Sequence, residues 1–218
     1  MSKKTKSELL FEQFCEENSI PYFRIEQSSD RTPDYEVYFG EQLVVIEVKQ
    51  IDPNKNDKKY QEQLPKLGHI GIRESSDERV RHKIDNAHEQ LKNLSQGKFP
   101  AILVLYDNSP FKSIDSTDIK NAMYGNESVR LLLVDDSEDL LIEVKNGGFG
   151  SCRKFTKDDN TTISGIARLY MFGTLRLDIF HNQYAKCPFE PSWLRRITVT
   201  HFKLEPQLQG KIQEWQVV

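Results

Sequence analysis

Residues 33–50 constrain the fold of this chain most strongly, because they contain two strand-like segments on either side of a tight break. The first segment is Tyr35–Phe39, the second is 43–49, and Gly40 and Glu41 lie at the break. Glycine in the first position of a two-residue loop can adopt the positive φ that a type II′ turn requires. The stretch therefore predicts a β-hairpin.

The pairing in this hairpin follows by counting outward from the turn. Counting places Phe39 opposite Gln42 and Asp34 opposite Glu47. Opposed residues of an antiparallel pair point to the same face of the sheet, with Cβ atoms about 5 Å apart. Lys49 lies two residues beyond Glu47 and shares that face. Two carboxylates and one amine are therefore expected together at the open end of the hairpin.

The apolar character of the second strand argues that these charges have a function. Charges that alternate along a strand usually mark only its solvated side, which is the alternative interpretation. The strand is, however, apolar on both faces until Glu47, a pattern typical of a central strand covered on both sides. Two carboxylates near a buried strand end repel each other and are costly to desolvate unless a cation compensates them. A divalent metal at Asp34 and Glu47 would do so, and Lys49 adds a second positive charge.

The same residues carry a resemblance to a known superfamily. Pro33-Asp34, a spacer of twelve residues and Glu47-Val48-Lys49 resemble the PD-(D/E)XK signature of restriction enzymes, repair nucleases and archaeal Holliday-junction resolvases. The resemblance implies an α/β fold, with a mixed sheet flanked by helices, and hydrolysis of nucleic-acid phosphodiesters that depends on Mg²⁺ or Mn²⁺. It also implies that Asp34, Glu47 and the Val48 carbonyl hold the metal, and that Lys49 orients water or neutralises developing charge.

The first predicted helix offers a further acidic residue. Ser7 is its expected cap, and Leu10, Phe11, Phe14 and Cys15 form an apolar stripe at helical spacing. Members of the superfamily often place an acid on this helix, and Glu8 is the best-placed match, with Glu12 as its substitute. Glu8 would hold a second ion or the water. Glu12 is otherwise expected to face solvent, and Glu8 could equally be an ordinary first-turn acid favoured by the helix dipole.

A second helix is predicted over 78–95, where Val80, Ile84, Ala87 and Leu91 follow one face. Gln90 lies seven residues after Lys83 and shares a side of the helix with it. Some relatives in the superfamily carry a glutamine here near the metal, so the resemblance implies that Gln90 steadies Lys49 or a phosphate. A polar residue that borders the core stripe is the alternative.

A long polar segment, residues 52–77, separates the hairpin from this helix and is predicted to be a loop that becomes protected on binding nucleic acid. Together with the start of the following helix it supplies cations beside the site. The expected phosphate-binding side chains are Lys55, Lys58, Lys59, Arg79, Arg81 and Lys83, although a lysine-rich loop is often merely solvated.

Residues 101–106 form a continuous apolar run, which predicts a central strand parallel to 43–49 across a helical crossover. The β-β-α-β order matches the minimal nuclease core, so residues 1–110 are expected to form a restriction-endonuclease-like core. Residues 111–218 are expected to be a β-rich extension packed on the same sheet, with a helix at 116–124. The predicted strands of the extension are 129–134, 140–144, 162–172, 174–180 and 197–203, with loops at 147–150 and 187–192.

Composition limits the possible partners. The net charge of −3 shows no global basic bias, so contact with nucleic acid, expected to be DNA although RNA stays open, must depend on local patches. No apolar run approaches a membrane span, and three scattered cysteines fit a reducing cytoplasm. A homodimer or a partner protein remains open. The alternative function is a catalytically inactive nuclease-like module that binds nucleic acid or a partner in a defence or repair assembly.

His181, at the end of a predicted strand, is expected to be a plain hydrogen-bonding residue.

Overall fold

The computed structural model describes residues 3–26, 32–69, 71, 76–111, 113–136, 139–205 and 213–218, and its described side chains exclude those of 127–149. The described helices are α1 (Lys6–Glu17), α2 (Lys55–Leu67), α3 (Asp77–Ser95), α4 (Ser116–Tyr124) and a short 3₁₀ turn (Pro191–Trp193). The described strands are β1 (Tyr22–Arg24), β2 (Tyr35–Phe39), β3 (Gln42–Ile51), β4 (Ala101–Asp107), β5 (Glu127–Asp136), β6 (Asp139–Phe149), β7 (Gly165–Phe172), β8 (Thr174–His181), β9 (Val199–Leu204) and β10 (Trp215–Val217).

Eight of the described strands form one mixed sheet in the order β1-β2-β3-β4-β7-β8-β9-β10. Strands β3, β4 and β7 are parallel neighbours, so their carboxyl ends meet at one edge. The predicted α/β class with a mixed sheet is confirmed, while the restriction-endonuclease-like core stays a prediction. Strands from both segments, 1–110 and 111–218, contribute to this sheet.

The hairpin forms with the predicted register. Phe39 pairs with Gln42 and Tyr35 pairs with Ile46. Gly40 adopts a φ of +64°, which its missing Cβ makes accessible in the first position of the turn. The predicted parallel pairing of β4 with β3 is also present, and it runs from Val45 with Ala101 to Ile51 with Asp107.

Two apolar cores cover the two faces of the sheet and decide which way each residue of β3 points. Helix α1 packs on one face against the even-numbered positions Val44, Ile46 and Val48. Helices α3 and α4 pack on the other face against odd-numbered positions such as Val45. The predicted α3 stripe is fully buried there, at Val80, Ile84, Ala87 and Leu91. Since Glu47 and Lys49 are also odd-numbered, they face α3.

The start of the chain differs from the prediction. Thr5, rather than Ser7, caps α1, and its side chain forms a capping box with Glu8. Ser7 is buried, and its backbone N–H donates to Gln50 Oε1 at 3.1 Å. Glu12 was expected to face solvent but is buried, because Tyr35 Oη donates to its Oε1 at 2.9 Å and Lys4 pairs with Oε2. Polar partners on β2 and in the chain start therefore compensate this carboxylate.

The prediction of a loop over 52–77 was wrong, because residues 55–67 form α2. Asn54 and Asp57 make a capping box at the start of the helix, and Gly68 ends it in the left-handed conformation with φ of +73°. Asp57 is the buried residue of this helix, so α2 has almost no apolar stripe that periodicity could reveal. Residues 70 and 72–75, which the same prediction covers, lie outside the described residues, as do 27–31 of the polar loop before Pro33.

The second half also differs in part. The predicted pair of strands at 162–172 and 174–180 is present as β7 and β8. Strands β5 and β6 were expected on the same sheet but form a separate two-stranded sheet, because antiparallel strands that follow one another along the chain can pair with each other without joining a larger sheet. Residues 147–149, expected in a loop, continue β6, and a register shift beside Ser128 accommodates them. The end of the chain adds β10, which pairs with β9.

Among the described residues, each helix is too short or too polar to cross a lipid bilayer.

Candidate functional site

The open end of the β2–β3 hairpin holds the centre of the site. Asp34 immediately precedes β2, and its backbone N–H donates to the Ile46 carbonyl at 3.1 Å. Its carboxylate Oδ2 accepts a hydrogen bond from the Val48 backbone N–H at 2.9 Å. In the ladder, even-numbered residues of β3 direct both backbone polar groups towards β2. The Val48 carbonyl therefore lies on the same side of the strand as Asp34.

Glu47 is the most unusual residue of the site, because its side chain is ionisable and fully buried. Its exposed fraction is 0%, and Lys49 Nζ forms an ion pair with its Oε1. Burial, followed by the charge of Asp34, raises the pKa of Glu47 to about 8. Burial also raises the pKa of Asp34, against the opposing hydrogen bond from Val48 and the charge of Lys49. The pair is therefore poorly compensated by the protein alone.

Gln90 anchors Lys49 from the facing helix. Lys49 Nζ donates to Gln90 Oε1 at 3.1 Å, and Gln90 Nε2 donates to the Thr32 carbonyl at 3.0 Å. Thr32 lies two residues before Asp34, so one amide connects α3 with both the lysine and the segment that carries the first carboxylate. The predicted contact between Gln90 and Lys49 is therefore present, while its role in a reaction stays a prediction.

Glu8 approaches the site from the other face of the sheet. It contributes to raising the pKa of Asp34 through its negative charge, which indicates that the two carboxylates are close. Its oxygens are already engaged, since Arg24 pairs with Oε1 at 2.8 Å and the backbone N–H of Thr5 donates to Oε2 at 2.7 Å. Glu8 therefore has a clear structural role, and Glu12 is occupied by Tyr35 and Lys4.

The predicted phosphate-binding cations lie in different surroundings. Burial lowers the pKa of Lys83, and the charge of Lys49 adds to this effect, which indicates that the two lysines are close. Arg79 instead joins α2 to β4, with Asp57, the Asp52 carbonyl and Ser109 Oγ as partners. Arg81 faces α4, where it pairs with Asp77 and donates to the Asn121 carbonyl. The remaining cations, Lys55, Lys58 and Lys59, are exposed along α2.

Sequence reasoning missed one cation at this edge of the sheet. Lys6 was not among the expected phosphate-binding residues, but its Nζ lies 5.3 Å from the centre of the Tyr106 ring and donates to Asn108 Oδ1 at 2.9 Å. The basic composition of the first six residues was the available signal. The signal for the cap was Thr5 followed three residues later by Glu8, the pattern of a capping box, and helix α1 begins there with Lys6.

The donor set fits a hard divalent ion that keeps part of its water shell. No group of three or more histidine, cysteine, aspartate or glutamate side chains with the spacing of a metal site occurs among the described residues. Mg²⁺, however, is usually bound by one or two carboxylates together with waters and substrate phosphates, rather than by a cage made only of protein. Asp34, Glu47 and the Val48 carbonyl match this pattern, and the observation that favours it is that two neighbouring buried carboxyl groups share the Lys49 ammonium as a cation.

The comparisons with known proteins add no relative to these findings. Neither family models, nor curated proteins, nor solved structures give a match to this chain.

Proposed function

We propose that this protein is a metal-dependent nuclease that hydrolyses phosphodiester bonds of nucleic acid at the end of the β2–β3 hairpin. The observation that carries the proposal is the buried Glu47 carboxyl group, which lies beside the Asp34 carboxyl group with the Lys49 ammonium close to both. Two neighbouring carboxylates carry more negative charge than one ammonium neutralises, and a divalent ion would compensate the remainder. The resemblance of Pro33-Asp34 and Glu47-Val48-Lys49 to the PD-(D/E)XK signature supports the same conclusion.

Asp34, Glu47 and the Val48 carbonyl would hold the metal. Mg²⁺ bound there would lower the pKa of a water molecule and stabilise negative charge on the phosphate. The hydrogen bond from the Val48 N–H fixes one oxygen of Asp34 and leaves Oδ1 for another partner. Because β3 is covered on both faces, these groups are attached to a rigid strand, which holds them in a reproducible geometry.

Lys49 is suited to stabilise charge rather than to hold the metal. Its ammonium is restrained by Gln90 and Glu47, and it lies on the α3 face at the open end of the hairpin. A cation restrained in this way needs little reorganisation when negative charge develops on a phosphate oxygen. Lys83 and Lys6, at the same edge, would contact neighbouring phosphates.

A paired measurement of metal binding and cleavage tests this function. Purified protein would be titrated with Mn²⁺ while its melting temperature is followed, and labelled single- and double-stranded DNA and RNA would be tested for cleavage with Mg²⁺, Mn²⁺ or EDTA. We expect Mn²⁺ to raise the melting temperature, since a ligand that binds only the folded state stabilises it. We also expect EDTA to abolish cleavage.

Asp34→Asn is the informative variant, and Asp85→Asn is its matched control, because Asp85 is an exposed carboxylate on α3 that pairs with Lys154. Asp34→Asn should lose both the Mn²⁺ stabilisation and the cleavage, while Asp85→Asn should keep both. Cleavage that persists in excess EDTA would rule out the metal mechanism. Metal-independent binding of nucleic acid without cleavage would instead favour the inactive nuclease-like module.

A further inference from the structure

The tip of the β7–β8 hairpin, residues 170–176, exposes two apolar side chains in succession. Phe172 is 71% exposed and Met171 is 56% exposed, and the chain turns directly after them at Gly173, with φ of +71°. Single exposed apolar residues are common on protein surfaces and need no explanation. This tip is different because a cation accompanies the ring: Arg176 Cζ lies over Phe172, 5.5 Å from the ring centre.

The tip lies on the same face and towards the same edge of the sheet as the candidate site. Lys49 pairs with Leu105, which pairs with Arg168, so these three residues share the face that α3 covers. Phe172 follows Arg168 by four positions along β7 and therefore points to that face too. Strand β7 is parallel to β3, so it extends past the end at which Asp34, Glu47 and Lys49 meet.

The distance between tip and site suits a nucleic-acid strand. Two strand spacings separate Lys49 from Arg168, about 10 Å, and four residues along β7 add about 13 Å. Phe172 is thus roughly 16 Å from the Lys49 position, a length that about five nucleotides cover at helical rise. A nucleic-acid strand with one phosphate at Lys49 could therefore place a base against the tip.

Charges and aromatic rings alternate behind the tip. Arg168 Cζ lies over the Tyr170 ring at 4.5 Å from its centre, while its guanidinium pairs with Asp178. Tyr170 pairs across the hairpin with Arg176, the cation at the tip. Proteins that bind single strands combine aromatic side chains, on which bases stack, with arginines that add cation–π attraction. The net charge of −3 makes purely electrostatic binding of a long duplex weak, so stacking would supply affinity that charge does not.

We propose that residues 170–176 form a stacking platform for an unpaired base, so that the substrate of the proposed nuclease presents a single-stranded segment beside the scissile phosphate. The position of the nucleic-acid strand in this inference rests on the proposed function, but the surface that binds the base is a separate one. A paired base has both faces covered by its neighbours in the duplex, whereas an unpaired base can stack on Phe172. Because Arg176 lies over one side of the Phe172 ring, the other side can accept one such base.

Fluorescence anisotropy with a labelled single strand of fifteen or more nucleotides, and with its blunt duplex, tests the platform. Measurements in Ca²⁺ or EDTA keep the oligonucleotide intact. We expect Phe172→Ala to weaken binding of the single strand about tenfold, the scale of one lost base–aromatic stack, and to change duplex binding less than twofold. Phe172→Trp should restore the single-strand affinity. Arg176→Gln should weaken it as well and reduce its salt dependence.

Phe23→Ala is the matched control, because Phe23 is 62% exposed on the edge strand β1 and packs against Tyr38. The affinity of the Phe23→Ala variant for the single strand should equal that of the wild type. Wild-type affinity in Phe172→Ala, or an equal loss for single strand and duplex, would overturn the platform. Loss of self-association in Phe172→Ala by sedimentation, with single-strand binding unchanged, would identify the tip as a contact between copies and also overturn it.

The two proposals fail separately. If the wild type binds the single strand through Phe172 but never cuts in Mg²⁺ or Mn²⁺, the platform stands and the nuclease assignment fails. If Asp34-dependent cleavage occurs and Phe172→Ala binds and cuts like the wild type, the nuclease assignment stands and the platform fails.

Discussion

Gln90 accepts a hydrogen bond from Lys49 although 41 positions separate them in the sequence, and the distance between Oε1 and Nζ is 3.1 Å. The same amide donates through Nε2 to the Thr32 carbonyl. Only one orientation of the amide satisfies both partners, because the oxygen must face the ammonium and the nitrogen must face the carbonyl. Gln90 therefore fixes the ammonium of Lys49 relative to the segment that leads into Asp34.

Gln90→Met keeps the length of the side chain but removes both hydrogen bonds. We expect cleavage to fall about tenfold to a hundredfold, since a small misplacement of a catalytic group is costly, while Mn²⁺ affinity should change less than twofold. Single-turnover cleavage and titration calorimetry would measure the two quantities. Gln13→Met, at an exposed position of α1, serves as the control. Wild-type cleavage by Gln90→Met would remove the positioning role.

Lys49→Met removes the restrained cation and leaves both carboxylates in place. Cleavage should fall by about a hundredfold or more, the usual scale for one preorganised charge-stabilising group, and Mn²⁺ should still bind. Affinity for nucleic acid should barely change, because one phosphate contact among several contributes little. The control is Lys55→Met on the exposed surface of α2. Equal rates for Lys49→Met and wild type would make Glu47-Val48-Lys49 an ordinary charged strand end.

Arg79 stabilises the position of α2 relative to the rest of the molecule. Its guanidinium contacts Asp57 on α2 and donates to the Asp52 carbonyl at 2.7 Å and to Ser109 Oγ at 3.0 Å. In Arg79→Met we expect the α2 amides to exchange hydrogen about tenfold faster, on the order of 1.4 kcal/mol of local stability, with global melting little changed. Lys58→Met is the control, and unchanged exchange in Arg79→Met would mean that other contacts hold the helix.

His181 and His201 make stability depend on pH. His181 Nε2 lies 3.1 Å from His201 Nδ1, and His201 Nε2 lies 2.9 Å from the Leu194 carbonyl. Burial, then the charges of His201 and Lys203, lowers the pKa of His181 to about 3, and burial also lowers the pKa of His201, with Lys203 and Arg195 adding to the effect. The folded state therefore keeps these rings neutral under conditions in which the unfolded chain binds protons.

The sign of the effect follows from proton linkage. Between the unfolded pKa near 6.5 and the folded value, the unfolded state holds more protons, so stability is full above pH 6.5 and falls as the pH decreases. One such histidine contributes a slope of up to about 1.4 kcal/mol per pH unit. His181→Leu should flatten the plot of unfolding free energy against pH between 6.5 and 4. His82→Leu, exposed on α3, should leave the slope unchanged.

The hairpin and the main strands could be predicted because their determinants are local. The turn at Gly40 and the apolar segments around it define the register that pairs Tyr35 with Ile46, the residues next to Asp34 and Glu47. The periodic stripe of α3 likewise required only neighbouring residues. The expectation for His181 as a hydrogen-bonding residue also agrees with its contact to His201.

The parts that could not be predicted depend on distant partners. Burial of Glu12 requires Tyr35 and Lys4, and α2 is held by the ion pair of Asp57 with Arg79, none of which leaves a periodic pattern. Strand β7 pairs with β4, although α4, β5 and β6 lie between the two strands in the sequence. For the same reason, the shared face of Lys49 and Phe172 became visible only in the sheet.

The short loop between β2 and β3 also has a kinetic consequence. Closing this hairpin costs little chain entropy, and hairpins form in microseconds, so Asp34 and Glu47 can meet early in folding. The parallel pairing of β3 with β4 must wait for the whole crossover through α2 and α3. Two carboxylates are therefore expected to be in place before α3 brings Gln90 to Lys49, which would let a divalent ion bind a partly folded chain.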